Sequence, residues 1–150
     1  MMYGISQNPD TKNYSLVPSH YFDYHCVACG KIYTNIVCKW CKPCQLKYLG
    51  ENFTNWTSGN EIIDNFIQEM RLKINSCYNI IFEWIPYNQL DKIEEIGKYD
   101  SFTVYSAKWK DGPLYWNKNN NRKYIRDSDK TVVLKCLCNS QNIIDLLNEV

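Results

Sequence analysis

Five of the eight cysteines lie in one run, H-C-V-A-C-G-K-I-Y-T-N-I-V-C-K-W-C-K-P-C from His25 to Cys44. Cys26 and Cys29 form a C-x-x-C pair followed by Gly30, which can take the positive φ that a tight metal knuckle requires. Cys38, Cys41 and Cys44 supply two more overlapping C-x-x-C pairs. Four thiolates at tetrahedral corners make a closed structural zinc site, and a C-x-x-C turn delivers two of them from one loop. The preferred ligand set is Cys26, Cys29, Cys41 and Cys44, two knuckles separated by a short hairpin, with Cys38 a strand residue behind Ile36 and Val37. The set Cys26, Cys29, Cys38 and Cys41 is the alternative, and His20 or His25 can substitute in either. The competing explanation, five free buried cysteines, is disfavoured by the spacing. A ribbon this short builds little core, so Zn2+ would supply much of its folding free energy, about 10 kcal/mol or more by analogy with zinc-finger peptides.

A second stretch with chemistry in it runs from Ile96 to Lys135. It opens I-G-K-Y-D-S-F-T-V-Y-S-A-K-W and closes T-V-V-L-K. Tyr105, Ala107 and Trp109 alternate with Ser106 and Lys108, and a β-branched run at Thr131 to Leu134 ends in Lys135, so both read as strands with one buried face. A glycine at the entry to such a pair suggests a nucleotide site.

These residues resemble the start of a protein kinase domain, where a loop of form G-x-G-x-x-G-x-V covers the ATP phosphates and a V-A-I-K strand supplies the phosphate-pairing lysine. Together with W-C-K-P-C, N-F-T-N-W-T-S-G-N, W-I-P-Y and L-D-K-I-E-E-I-G, the sequence is similar to the large family of tyrosine-kinase-like kinases of arbuscular mycorrhizal fungi, over roughly residues 20 to 150. The resemblance implies a small cysteine motif ahead of a kinase small lobe. It implies Mg2+ and ATP as cofactors, with Ile96, Gly97 and Val104 at the nucleotide, Lys135 on its phosphates and Glu149 as the lysine's carboxylate partner, in a helix capped by Asn139 or Ser140. Tyr99 and Phe102 stand where the second and third glycines would be, Asp100 adds a negative charge, and Val133 replaces the alanine. No H-R-D or D-F-G motif occurs, and Val150 follows directly on Glu149, so the lobe is expected to be incomplete and catalytically silent by itself.

The elements that must position these residues are legible in part. The length of 150 residues, 45% hydrophobic and 22% charged, is ordinary globular composition for one domain or two small ones. Residues 1–19 carry no periodicity and are expected to be a poorly ordered tail. Ser58 or Asn60 is a natural N-cap, and Ile63, Phe66, Ile67, Met70 and Ile74 follow helical spacing, which predicts a strong amphipathic helix. That helix is expected to face a core or dock a protein partner; its polar face is mixed in sign and does not suit a membrane surface. Ile80 to Tyr87 is an apolar, β-prone run stopped by Pro86. Asp111-Gly-Pro and Asn117 to Arg122 read as a long, mobile polar excursion between strands. The expected fold is α+β: a tail (1–19), a zinc-ribbon-like cysteine motif (20–50), an amphipathic helix and connector (57–85), and an incomplete kinase-like small lobe of antiparallel strands plus the start of a helix (86–150).

Charge and targeting signals narrow the partners. The formal net charge is +1, with Lys31, Lys39, Lys42 and Lys47 against Asp23 giving residues 20–50 a local excess. Lysines interleaved with Tyr33, Trp40 and Tyr48 would suit single-stranded nucleic acid, but so small an excess falls short of the phosphate contacts such binding uses. ATP and a protein are the expected partners, or, in the alternative, a non-catalytic zinc-binding module recognises protein or nucleic acid. The N-terminus has neither a basic start nor an apolar run, so no secretory signal is read there and the sequons at Asn52 and Asn55 are taken as chance. An intracellular, cytoplasmic setting with reduced cysteines is expected, with no membrane span.

Overall fold

The computed structural model describes residues 2–53, 57–119, 122–137, 143–148 and 150, and at residues 21 and 22 the backbone alone. Thr54, Asn55, Asn139, Ser140 and Glu149, which figure in the expectations above, lie outside the described residues.

The fold is α+β. It opens with an antiparallel hairpin, β1 (Met2–Gln7) and β2 (Tyr14–Pro18), where a tail was expected. The turn explains it. The Asn8 side chain accepts hydrogen bonds from the backbone N–H groups of Asp10 and Thr11, at 2.9 and 3.0 Å, and Lys12 takes the left-handed conformation at φ 62°. Both strands are exposed along their whole length.

A short helix α1 (Tyr21–Tyr24) leads into the cysteine run, which ends in helix α2 (Lys42–Asn52). Pro43 sits in the first turn of α2, where its fixed φ favours the helix and its missing N–H costs nothing. Helix α3 (Glu61–Lys73) begins at Asn60, whose side chain accepts from Ile62 and Ile63 N–H, one of the two caps read from sequence. The other candidate, Ser58, acts elsewhere. Together with Thr57 it donates to the Asp64 carboxylate, which folds back over the cap and is held below the usual carboxylate range, chiefly by the Ser58 backbone N–H. Ile67 and Ile74 of the expected stripe are buried, and Phe66 meets the edge of Phe82 at 5.4 Å.

Residues 80–85 join no strand among the described residues. A turn of 3-10 helix, Tyr87–Gln89, then opens a three-stranded antiparallel sheet of β3 (Leu90–Lys98), β4 (Phe102–Trp109) and β7 (Lys130–Leu137), with β4 in the middle. Helix α4 (Ile143–Leu147) follows β7. Between β4 and β7 stands a second hairpin, β5 (Leu114–Asn117) and β6 (Lys123–Arg126). A paired hairpin thus flanks the expected polar excursion, of which Asn120 and Asn121 lie outside the described residues. Leu114, Trp116 and Tyr124 are buried, and they join Trp40, Leu49, Ile74 and Ile81 in one core cluster that crosses from the cysteine run to the strands.

Two polar features lock this core. The Trp40 indole N–H donates to the Tyr124 hydroxyl at 3.1 Å, with both side chains buried. Arg126 grips Glu83 through two parallel hydrogen bonds of 2.8 Å and also donates to the Gly112 carbonyl at 2.7 Å. The carboxylate is only 3% exposed, so this fork supplies the partners its charge needs, and Glu83 in turn holds the guanidinium pKa above its usual value. Gly112 sits at φ 70° with its Cα against the Asp127 carbonyl, leaving no room for a side chain.

Candidate functional site

The backbone around the cysteines is a knuckle, a hairpin and a helix in sequence. In the knuckle, Cys26 N–H donates to the Lys31 carbonyl and Gly30 N–H to the Cys26 carbonyl, both at 2.7 Å, with Gly30 at φ 72° as its position required. The hairpin closes where Asn35 and Trp40 exchange backbone hydrogen bonds of 3.0 and 2.9 Å across a turn with Lys39 at φ 49°. Cys41 caps α2 and Cys44 lies in its first turn. The second pair of sulfurs is thus carried by a helix start and not by a second knuckle. A Pro just after Cys41 with Leu46 and Leu49 downstream is the signal for that helix, and the ribbon expectation leaves it out.

The structure brings Cys26, Cys29, Cys41 and Cys44 together with all four Sγ atoms within 4.8 Å of one another. The Cys26–Cys44 and Cys29–Cys41 sulfur separations are 3.8 and 3.6 Å. A tetrahedron with the usual zinc–sulfur bond has edges of about 3.8 Å. The donor set and its spacing therefore fit a thiophilic ion, and these four cysteines can hold a metal such as zinc. His20 bonds Asp23 at 2.9 Å, and neither it nor His25 belongs to the sulfur cluster.

Cys38 is not the strand residue expected. It lies in the turn before Trp40 and is disulfide-bonded to Cys77, with Cα atoms 6.6 Å apart. This takes it out of the alternative ligand set. It also departs from the expectation that the thiols would all stay reduced; Cys77, thirty-nine residues away, carried no local signal of the pairing.

The electrostatics of the cluster suit a cation. The Lys31 backbone N–H, helped by the Cys44 thiol, lowers Cys29 to about 7, whereas burial raises Cys41 and Cys44. Four thiolates cannot crowd into this volume without a neutralising charge, and the positive end of α2 supplies only part of it. Tyr33 packs on Cys26 and Cys41, and Trp40 is fully buried in the main core. Tyr48 is half-buried, edge-on to Phe53 at 6.1 Å. All three rings considered as a base-stacking surface thus pack on the protein itself, Tyr33 and Trp40 buried and Tyr48 partly buried against the main core.

The other expected site lies on the sheet. The register sets Gly97 opposite Val104 and Val104 opposite Lys135, so these three residues form one row across β3, β4 and β7. Ile96 is exposed beside them, and Glu149 falls outside the described residues. Tyr99, in the turn between β3 and β4, and Phe102, the first residue of β4, stack at 4.7 Å with ring planes 25° apart, and the Lys135 ammonium lies 4.9 Å from the Phe102 ring centre. Val133, two residues before Lys135 on the same face, is exposed.

Among the described residues no helix is long and apolar enough to cross a membrane. Compared with known proteins, the chain matches no family model, no curated protein and no solved structure.

Proposed function

We propose that this chain is the N-terminal portion of a protein-kinase-like protein: the glycine-loop half of an ATP cleft, carried on a zinc-bound cysteine module, and not catalytic on its own. The observation that supports the reading is the row Gly97, Val104, Lys135. In such a cleft the first loop glycine, the residue that roofs the adenine and the phosphate lysine occupy adjacent strands and one face of an antiparallel sheet. The order here, hairpin strands, then a lysine strand, then a helix, is the order the resemblance implies. Zn2+ at the four cysteines fixes the hairpin that ends in Trp40, and Trp40 fixes Tyr124 and the inserted hairpin beside the sheet. The metal's role in this reading is structural. Phosphoryl transfer needs a base and Mg2+ ligands, and these residues contain neither an H-R-D nor a D-F-G motif.

The test is calorimetric titration of Mg·ATP into the zinc-loaded chain, beside Lys135→Ala, with a phosphotransfer assay on a generic substrate. Expected are weak binding that Lys135→Ala abolishes and no transfer. Binding indifferent to Lys135, or none at millimolar nucleotide, overturns the nucleotide reading; Lys135-dependent transfer overturns the inactive one. The runner-up, a non-catalytic zinc module that recognises protein or nucleic acid, is favoured by the first of those results. The apolar stripe of α3 turns inward at Ile67 and Ile74, which leaves that helix only Ile62 and Leu72 as exposed apolar residues for a partner.

A further inference from the structure

Tyr99 and Phe102 replace two loop glycines, and the structure shows what their rings do instead. The turn that joins β3 to β4 is closed by a 2.9 Å hydrogen bond from Tyr99 N–H to the Phe102 carbonyl, so the two side chains leave the same tight loop. Phe102 pairs with Leu137 and Val104 with Lys135, which makes Phe102 and Lys135 diagonal neighbours on one face of the sheet. A long side chain reaches across that diagonal, and the lysine ammonium meets the ring at 4.9 Å. On the other side, the Tyr99 ring folds back over β3: a Cβ placed on Gly97 would lie 3.3 Å from its Cε2 atom. Gly97, Tyr99, Phe102 and Lys135 therefore form one continuous stack along the edge of the row.

We propose that Tyr99 and Phe102 form an aromatic clasp that occupies the phosphate side of the row, and that a nucleoside triphosphate reaches Lys135 only when the clasp opens. The inference rests on the nucleotide reading above and adds a gate to it. The π face of Phe102 takes the place of a phosphate as a partner of the ammonium, an attraction that nucleotide binding must break. The Tyr99 ring covers the one loop glycine that remains, where a phosphate would need the backbone bare. Stacking of the two rings on each other makes the closed loop a single unit, so opening costs both contacts together.

The experiment titrates Mg·ATP into the 150-residue chain and into Phe102→Gly, Tyr99→Gly and the double variant, which restore the glycines. Phe102→Leu keeps apolar bulk at the site and removes only the π face, which guards against a loop that simply fails to fold; thermal melting checks each variant. Expected is about tenfold tighter binding on removing either ring, a gain erased when Lys135→Ala is added. A second measurement needs no nucleotide: the ε-methylene protons of Lys135 should be shifted upfield in NMR by the Phe102 ring current and should return in Phe102→Leu. If Lys135-dependent binding exists but no ring removal strengthens it, the clasp is overturned and the nucleotide reading stands. If no variant binds in a Lys135-dependent way, both fall, and an absent upfield shift overturns the clasp whatever nucleotide does.

Discussion

The cysteine module and the three-stranded sheet both bring residues distant in sequence to one place, but they hold them differently. The four sulfurs sit on a knuckle and a helix start whose intervening hairpin ends in Trp40, fully buried in the main core. The row Gly97, Val104, Lys135 lies on a sheet face where Lys135 and Val133 are exposed, and its loop is closed by rings of the chain's own. Sulfurs whose scaffold is tied into the core link whatever they bind to folding, whereas residues on an open sheet face can be changed with little effect on the fold. Perturbing the two should therefore give effects of very different size.

The largest is expected at the metal. Cys41→Ser removes one of four ligands from a module whose own core is small, so most of a binding free energy of about 10 kcal/mol is lost from folding. Metal analysis under reducing conditions should find zinc in the native chain and in Cys38→Ser, and none in Cys41→Ser, with the melting transition of the last collapsing. Retained zinc in Cys41→Ser with loss in Cys38→Ser would reverse the ligand assignment. Cys38→Ser should cost about 3–4 kcal/mol through the loop that the Cys38–Cys77 bond closes, and only under non-reducing conditions.

Acid should act on the same site in a defined direction. Burial holds Cys41 and Cys44 protonated at neutral pH in the absence of metal, while Cys29, lowered to about 7, is near half ionised. Zinc must expel those protons to bind, so its affinity rises with pH and falls as pH drops, and below about 7 Cys29 adds a proton to the number displaced. Competition with a chromogenic chelator between pH 6 and 8 should give a slope of at least about two protons per metal, steepening toward the acid end. A flat profile would mean that the sulfurs are not the ligands.

A smaller contrast separates the two hairpins. Trp116→Ala should cost about 3–5 kcal/mol, because the ring is buried in the core beside Tyr124 at 5.3 Å. Ile5→Ala, on the wholly exposed β1–β2 hairpin, should stay within about 0.5 kcal/mol. Equal effects in denaturant melts would show that the first hairpin also packs on the body of the protein.

These hairpins mark where the sequence is hard to read. The α3 stripe, its Asn60 cap, the alternating strands and the two C-x-x-C pairs are local patterns, each complete within a dozen residues, and they appear as such in the fold. Residues 1–19 and the stretch from Asp111 to Arg122 read as irregular because Pro, Asn and Lys are scattered through them without a period, and a hairpin is defined by the pairing of two runs rather than by either alone. Trp116 and Tyr124 flank a polar loop, and nothing in their neighbourhood names Trp40 as the partner. The Glu83–Arg126 fork and the Cys38–Cys77 bond are likewise contacts across 43 and 39 residues. The ligand set itself is legible up to the choice between Cys38 and Cys44, which tertiary structure alone decides.

The smallest effect is expected on the sheet. Lys135 is exposed, and its ammonium faces the Phe102 ring at 4.9 Å. An exposed cation–π contact contributes about 0.5–1 kcal/mol, and replacing a lysine near the end of a strand leaves the backbone pairing with Val104 intact. Loss of that contact in Lys135→Ala should therefore lower stability by about 1 kcal/mol and leave zinc content unchanged, while removing whatever affinity the chain has for Mg·ATP. That separation is the informative result: a residue with little to do in folding and everything to do in ligand binding is a site residue. A loss of several kcal/mol in denaturant melts would instead assign Lys135 to the scaffold, and the row across the sheet would then be a structural feature of the fold with no nucleotide to explain it.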